Sequence, residues 1–391
     1  MTTLLAKPCQ SGKTFELLNK TTKLIENNSK AIHIVLTDNS LIQLEQLHTR
    51  IENVTNEGVI VLSADYDISN REIQKRLCDN SVKYIILCAN MTQINKTDKI
   101  IRSMLNVNIR NCQGKTFYIW IDEGDKIAEP ANIKVLDKWA EYENVKKICY
   151  ITATPYSLIV RYGKMNVMKV KFIYNTKTYS KWSDCRVITQ KETNNPNLYV
   201  KKAFEEKEPY SGQVWFIAPG NLCDTHDDIT KFLNRRDFYV LTINVYGEFL
   251  TTPSRKEIPL EGKGALSDRI SFLYKKYNLK NELFAIVGYS RIGRGITIQS
   301  STVLITHAVF PTTPVSNAIT YQLAGRLCGS YKQYSKYKRP WVFCTKEFNK
   351  IAFESEEIII QIAKLMSVDL KKYDQLEEKA EKKYINTRKI K

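Results

Sequence analysis

Four residues of this 391-residue chain have the types and spacing to act on a phosphate: Lys13, Thr14, Asp122 and Glu123. The first two close the stretch LLAKPCQSGKT (4–14), which has the tail of a phosphate-binding loop. In such a loop Gly12 lets the backbone approach a triphosphate, and Gln10 and Ser11 add N–H groups. Lys13 reaches the β- and γ-phosphates, and the Thr14 hydroxyl binds Mg²⁺. The usual opening glycine is absent, with Lys7 in its place, so the match is partial. The second pair ends the apolar run FYIWIDEGDK (117–126). At a strand's carboxyl end Asp122 would hold the Mg²⁺ shell, while Glu123 would orient and deprotonate an attacking water. Either signal alone is a common coincidence; together, in this order, they read as ATP hydrolysis.

Strands and helices must deliver these groups to one place. Near-continuous apolar runs at 2–6, 31–37, 58–63, 82–89, 116–122 and 147–154 alternate with polar, helix-length stretches at 13–28, 40–53, 69–80, 92–105 and 131–143. That pattern fits a parallel sheet covered on both faces, giving one α/β domain over 1–160. Residues 161–211 read as a connector with a small excursion. A second α/β series occupies 212–346, with runs at 213–219, 238–244, 282–288, 301–310 and 339–345. The rest, 347–391, reads as a helical basic extension with an apolar stripe of Ile358, Ile362, Leu365 and Met366.

Composition narrows the partners. A hydrophobic content of 43% and a charged content of 26% suit a globular chain with real cores, but the net charge of +18 favours polyanions, nucleic acid before a membrane surface. Nine scattered cysteines without a CxxC pair suggest thiols in a reducing compartment, cytoplasm or nucleus. Four histidines form no ligand cluster with them, which speaks against structural zinc. No run approaches the length of a membrane span, and the N-terminus lacks a signal-peptide core.

The motif order resembles that of superfamily 2 helicases, the group containing the DEAD-box and DEAH-box proteins. CQSGKT resembles motif I and IDEGD (121–125) resembles motif II. TATP (152–155) resembles motif III, VWFIAPG (214–220) motif IV, GYSRIGRGIT (288–297) motif V and YQLAGRLCG (321–329) motif VI. The resemblance spans roughly 4–329 and implies two tandem RecA-like P-loop domains, α/β with parallel sheets flanked by helices, plus a helical C-terminal segment. It also implies ATP in the cleft between the domains and nucleic acid across both. With Mg²⁺ as the further cofactor and no membrane partner, the expected core is monomeric, with room for protein partners.

Roles follow from the resemblance. Thr152 and Thr154 would couple the γ-phosphate to the nucleic-acid side. Gly295 would place backbone against phosphate. Gln322 and Arg326 would face the γ-phosphate, Arg326 as an arginine finger. LTDNSLIQL (36–44) resembles motif Ia, and CANMTQINK (88–96) lies where the family makes further strand contacts, so Thr37, Asn39, Asn90 and Thr92 become candidate nucleic-acid contacts. The chain departs from the pattern at Gly329, where motif VI carries a second arginine, and at Thr297, where motif V often has an acid. The expected activity is a helicase or translocase. Its rivals are a nucleic-acid-stimulated ATPase without unwinding, an ATP-binding clamp with little turnover, and a P-loop kinase for small molecules. The ordered second half speaks against the kinase.

Overall fold

The computed structural model describes residues 2–66, 68–105, 114–127, 130–162, 166–167, 177–193, 195–220, 222–262, 264–289, 296–314 and 316–363. They fall into two compact units. Unit 1 holds the described residues of Met1–Lys7, Gly12–Phe172 and Ile362–Leu365, and unit 2 holds those of Pro8–Ser11 and Ile173–Gln361, so the last two residues of the C-terminal helix count with unit 1.

Unit 1 runs β1 (Thr2–Ala6), α1 (Lys13–Asn27), β2 (Ala31–Thr37), α2 (Leu41–Val54), β3 (Val59–Leu62), α3 (Asn70–Cys78), β4 (Tyr84–Cys88) and α4 (Met91–Ser103). It continues through β5 (Thr116–Asp122), α5 (Gly124–Ile127), α6 (Pro130–Trp139), β6 (Val145–Thr152), α7 (Tyr156–Tyr162) and β7 (Asn166–Val167). The seven strands form one sheet in the order β3-β4-β2-β5-β6-β1-β7, with every pairing parallel. All seven residues of β2 are buried, as a strand covered on both faces requires. Leu17, Leu18, Leu44, Leu47 and Ile51 pack from α1 and α2 against Val35, Ile86 and Trp120 of the sheet. The helices begin where polar side chains can satisfy free N–H groups: Ser40, Ser69 and Asn90 accept from Gln43, Glu72 and Gln93.

Unit 2 runs β8 (Arg186–Gln190), α8 (Pro196–Glu206), β9 (Val214–Ile217), α9 (Cys223–Asn234), β10 (Phe238–Asn244), β11 (Gly247–Thr251) and β12 (Glu257–Pro259). It is completed by α10 (Leu266–Lys276), β13 (Leu283–Gly288), β14 (His307–Phe310), α11 (Asn317–Ala324), β15 (Trp341–Thr345) and α12 (Lys346–Ala363). Its sheet has the order β12-β11-β10-β13-β9-β14-β15-β8, parallel except for the antiparallel pairings of β11 with β10 and β12. Trp215, Ile217, Val240, Ala285 and Phe343 meet Ile229 and Leu233 of α9 in its core.

The stretch 161–211, expected as a connector, supplies β8 and α8 to unit 2. Tyr199, Val200 and Ala203 of α8 are buried in its core, and β8 pairs in register with β15. Apolar residues at helical spacing inside a charged segment made this core face hard to see. The β11–β12 hairpin extension was not anticipated either. The apolar run at 301–310 forms a strand only over its last four residues. Among the described residues seven cysteines are in no disulfide, but Cys78 is disulfide-bonded, so the expectation of thiols throughout does not hold at that position. Residues Leu365 and Met366 of the C-terminal stripe lie outside the described residues. Among the described residues no helix is long and apolar enough to cross a membrane.

Candidate functional site

The carboxyl edge of the unit 1 sheet gathers the phosphate-type residues. Register aligns Ala6 at the end of β1 with Thr152 on β6, and Ile151 on β6 with Asp122 at the end of β5. Three strand ends are therefore level, with β6 between the strand feeding the loop and the strand carrying the acids.

Lys7 explains the missing glycine. Its N–H donates to the Thr152 carbonyl at 3.3 Å, so the chain leaves the sheet still extended there. The left-handed turns come later, at Gln10 (φ +55) and Gly12 (φ +83). Only the latter must be glycine-like, because glycine adopts that region without penalty. The Lys7 side chain is buried with its ammonium 3.9 Å from Glu16, which lies 3.9 Å from Lys20 as well. Burial pushes the Lys7 ammonium below its ordinary range, Glu16 opposes this, and Lys13 and Lys20 add to it. Lys13 is the first residue of α1, whose cap Gly12 makes no side-chain hydrogen bond. A helix start of that kind leaves N–H groups and the positive end of the dipole for an anion. Ser11 turns back on Pro8, its hydroxyl donating to that carbonyl at 2.6 Å. Within unit 2, Gln10 donates from Nε2 to the Ile296 carbonyl at 3.0 Å and accepts from the Thr297 hydroxyl at 3.1 Å.

Charge is concentrated around Asp122. Burial pushes its carboxyl above the usual carboxylate range, while Lys13, the Glu123 N–H and Arg50 pull the other way. Glu123 is buried at φ +51, a conformation that costs a non-glycine residue energy and clusters at functional sites. Arg50, on α2, donates from Nη1 to the Thr14 hydroxyl at 3.3 Å. No sequence pattern pointed to it, because a single arginine on a helix carries no signature. Asp125 lies within IDEGD, where the sequence alone points to no task for it. It accepts from Thr152 Oγ1 at 2.6 Å and from Thr154 Oγ1 at 2.7 Å, and the Thr154 N–H donates to Thr152 Oγ1 at 2.9 Å. The two threonines expected to couple are thus tied by one carboxylate to the strand end that carries Asp122 and Glu123.

The donor set suits a magnesium–nucleotide. Thr14 offers a hydroxyl and Asp122 a carboxylate, both hard oxygen ligands. Among the described residues no group of three or more His, Cys, Asp or Glu could hold a metal alone. A Mg²⁺ there would draw its remaining ligands from phosphate oxygens and water, which is its habit.

Asn39 and Asn90 come together at the same edge, Asn90 Nδ2 donating to Asn39 Oδ1 at 3.1 Å. Thr92 is exposed and lines a cavity of about 530 Å³ with Ser69, Asn95, Lys96 and Lys99. Thr37 is different: it is buried, and its hydroxyl donates to the Asp38 carbonyl at 3.1 Å.

In unit 2, Gln322 and Arg326 are 1% and 2% exposed. Arg326 Nε donates to the Gln322 carbonyl at 3.1 Å, while its Nη1 is buried with no hydrogen-bond partner among the described residues. A buried unpaired guanidinium nitrogen costs free energy unless an anion reaches it. Gln299, which sequence reading passed over, holds the Arg326 carbonyl from Nε2 at 2.7 Å. Gly295 lies outside the described residues.

No protein-family model matches the chain, and no curated protein matches it in sequence. Solved structures do resemble it. MrfA, a DUF1998 helicase bound to DNA and AMPPNP, is 12% identical with a TM-score of 0.53, covering 92% of this chain and 48% of that one. The DEAD-box helicase Mss116 bound to ssRNA and UDP-BeF is 13% identical, TM-score 0.51, covering 88% and 67%. Dbp5 of S. cerevisiae bound to RNA and ADP BeF3 is 11% identical, TM-score 0.50, covering 97% and 88%. This chain spans about half the length of MrfA. It shares the fold of these structures, with two α/β units in tandem along the chain.

Proposed function

We propose that the chain is an ATP- and Mg²⁺-dependent nucleic-acid translocase or helicase of the superfamily 2 kind. One observation carries this reading: Lys13 and Thr14 open α1 while Asp122 ends β5 and Glu123 follows it, at one carboxyl edge of one parallel sheet. Open α/β sheets bind their ligands at that edge.

Each residue then has a task. The N–H groups from Gln10 to Thr14 cradle the phosphates, and Lys13 neutralises the β- and γ-oxygens. Thr14 and Asp122 would hold Mg²⁺, whose charge offsets that of the triphosphate. Glu123 accepts the proton of the attacking water. Arg326 would be the cation for the γ-phosphate, as the motif order implies, and its buried Nη1, without a hydrogen-bond partner among the described residues, fits that task. Asp125 would relay the state of the site through Thr152 and Thr154. The +18 charge and the ligands of MrfA, Mss116 and Dbp5 support nucleic acid as the track. Gly329 favours a second reading, a clamp that binds ATP with little turnover, because it removes one motif VI cation.

Steady-state ATP hydrolysis with and without single-stranded DNA or RNA tests both. Turnover stimulated by one polymer, weakened by salt and lost in Lys13→Ala and Glu123→Gln is expected. ATP binding that needs Lys13, with no turnover under any condition, would leave the clamp. Strand displacement then separates unwinding from translocation alone.

A further inference from the structure

The β10–β11 hairpin of unit 2 has no task in the hydrolysis scheme, yet it is built with care. Asn244 and Gly247 are its last paired residues, so the turn consists of Val245 and Tyr246 alone. Both are exposed, 63% and 75%, although each is a large apolar or aromatic side chain. A single exposed apolar residue means little, but two neighbours displayed on a two-residue turn are a different matter.

The turn is held stiffly. The Tyr246 N–H donates to Asn244 Oδ1 at 2.9 Å. Gly247 sits at φ +145, where a Cβ would lie 2.4 Å from the Phe249 ring, so no other residue fits that post without displacing the ring. Behind it, Glu248 and Arg269 form a largely buried ion pair at 2.5 Å. Arg269 also donates to the Leu260 carbonyl at 2.7 Å, and the Leu260 N–H donates to the Glu248 carbonyl at 2.8 Å. The hairpin is therefore clamped to the chain entering α10, and its two tip side chains are presented at little further cost in ordering entropy.

Position gives the tip a meaning. β10 runs parallel to β13, which runs parallel to β9, so the turn after β10 projects from the same carboxyl edge as the turn after β9. Leu222, which follows β9 and precedes α9, is 72% exposed. Strands are spaced by about 4.8 Å, so β10 and β9 lie roughly 10 Å apart across β13. Apolar groups thus stand at two points of the edge where α/β sheets take their ligands.

We propose that the Val245–Tyr246 tip is a stacking site for a base of single-stranded nucleic acid, with Tyr246 as the platform. The proposal rests on the nucleic-acid reading given above and adds a contact to it. An aromatic ring offers a π-face to any base, and a chain of net charge +18 draws the phosphate backbone towards it. A rigid tip does this better than a mobile loop, because binding then orders only the nucleic acid.

The test compares two labelled oligonucleotides of equal length by fluorescence anisotropy on the full chain: a thymidine homopolymer and its abasic counterpart. Wild type should bind the base-bearing strand more tightly. Tyr246→Ala should weaken that binding roughly ten-fold and leave abasic binding unchanged, whereas Tyr246→Phe, which keeps the ring, should restore it. Because the side chain is solvent-exposed, the melting temperature of Tyr246→Ala should match wild type and exclude a folding defect. Equal binding of both strands by wild type and Tyr246→Ala would overturn the stacking site while the nucleic-acid reading stood. Failure of wild type to bind either strand would bring down both. Self-association of wild type that Tyr246→Ala abolishes, with nucleic-acid affinity unchanged, would make the tip a protein contact and overturn the proposal too.

Discussion

Gly329 and Ser180 pair as an antiparallel bridge, the Gly329 N–H donating to the Ser180 carbonyl at 2.9 Å and the Ser180 N–H to the Gly329 carbonyl at 2.6 Å. This accounts for the glycine where motif VI carries its second arginine. Gly329 stands at φ +146, and a Cβ there would lie 2.8 Å from the Tyr331 ring. The Lys332 N–H to the Thr178 carbonyl at 3.0 Å extends the contact, and Lys332 Nζ reaches Asp184 at 2.7 Å. The turn after α11 thus forms a seam with residues 178–184.

Restoring the arginine should therefore harm the protein. In Gly329→Arg, backbone strain and the Tyr331 clash should lower stability by about 1–3 kcal/mol. Chemical denaturation reads this, and turnover per folded molecule should not rise. A stable, faster Gly329→Arg enzyme would contradict the seam as the reason for the glycine.

In the proposed mechanism Arg326 would trade stability for function. Its Nη1 is buried without a hydrogen-bond partner among the described residues, a standing cost that an apolar chain of similar length removes. Arg326→Met is expected to melt at or above the wild-type temperature while ATP turnover falls by about 10³ or more. A variant that lost stability and kept turnover would remove Arg326 from the reaction.

Asp125 separates coupling from chemistry. Asp125→Ala leaves the Thr152 and Thr154 hydroxyls without their shared acceptor, at a cost of about 1–3 kcal/mol. Basal hydrolysis should change less than stimulation by nucleic acid, since Asp122 and Glu123 are retained. Titrating the polymer at saturating ATP measures the two separately, and an equal loss of both would refute a coupling role.

These features differ in how far the chain announces them. The central strands of unit 1 were legible because both their faces are buried, so β2 and β4 read as near-continuous apolar runs. GKT and the acidic strand end were legible because phosphate chemistry demands those residue types together. Arg50 was not, since what makes it relevant is the 3.3 Å approach to Thr14 across two helices. The β10–β11 turn, Val245-Tyr246, lacks the Asn-Gly or Asp-Gly signal of a tight hairpin, and its Gly247 follows the turn. Lys7 misled for a related reason: a missing glycine looks like a defect until the left-handed residues are located at Gln10 and Gly12.

Glu356 is the group whose titration should be visible near neutrality. It lies buried on α12, its Oε1 accepting from the Trp182 N–H at 2.9 Å and from Cys328 Sγ at 3.7 Å, with Ser183 N–H on Oε2 at 3.5 Å. Burial pushes its carboxyl up to about 7, against the pull of the Trp182 and Ser183 N–H groups, Lys181 and Cys328. A carboxyl raised in the folded state stabilises the fold most below its unfolded value near 4.5, and that contribution is lost as pH rises towards 7. His33 acts with the opposite sign. Burial drives it down to about 3, so its contribution is complete above 6.5 and is lost as pH falls. The wild-type melting curve therefore mixes the two, and the difference from Glu356→Gln isolates one. Between pH 4.5 and 7 the wild type should lose stability relative to Glu356→Gln, by at most an amount of order 3 kcal/mol, with no further divergence at higher pH. Denaturant midpoints at half-unit pH steps measure it. Parallel curves for the two proteins would mean that Glu356 titrates alike in the folded and unfolded chains, and that its burial between α12 and Trp182 is not the source of any pH dependence.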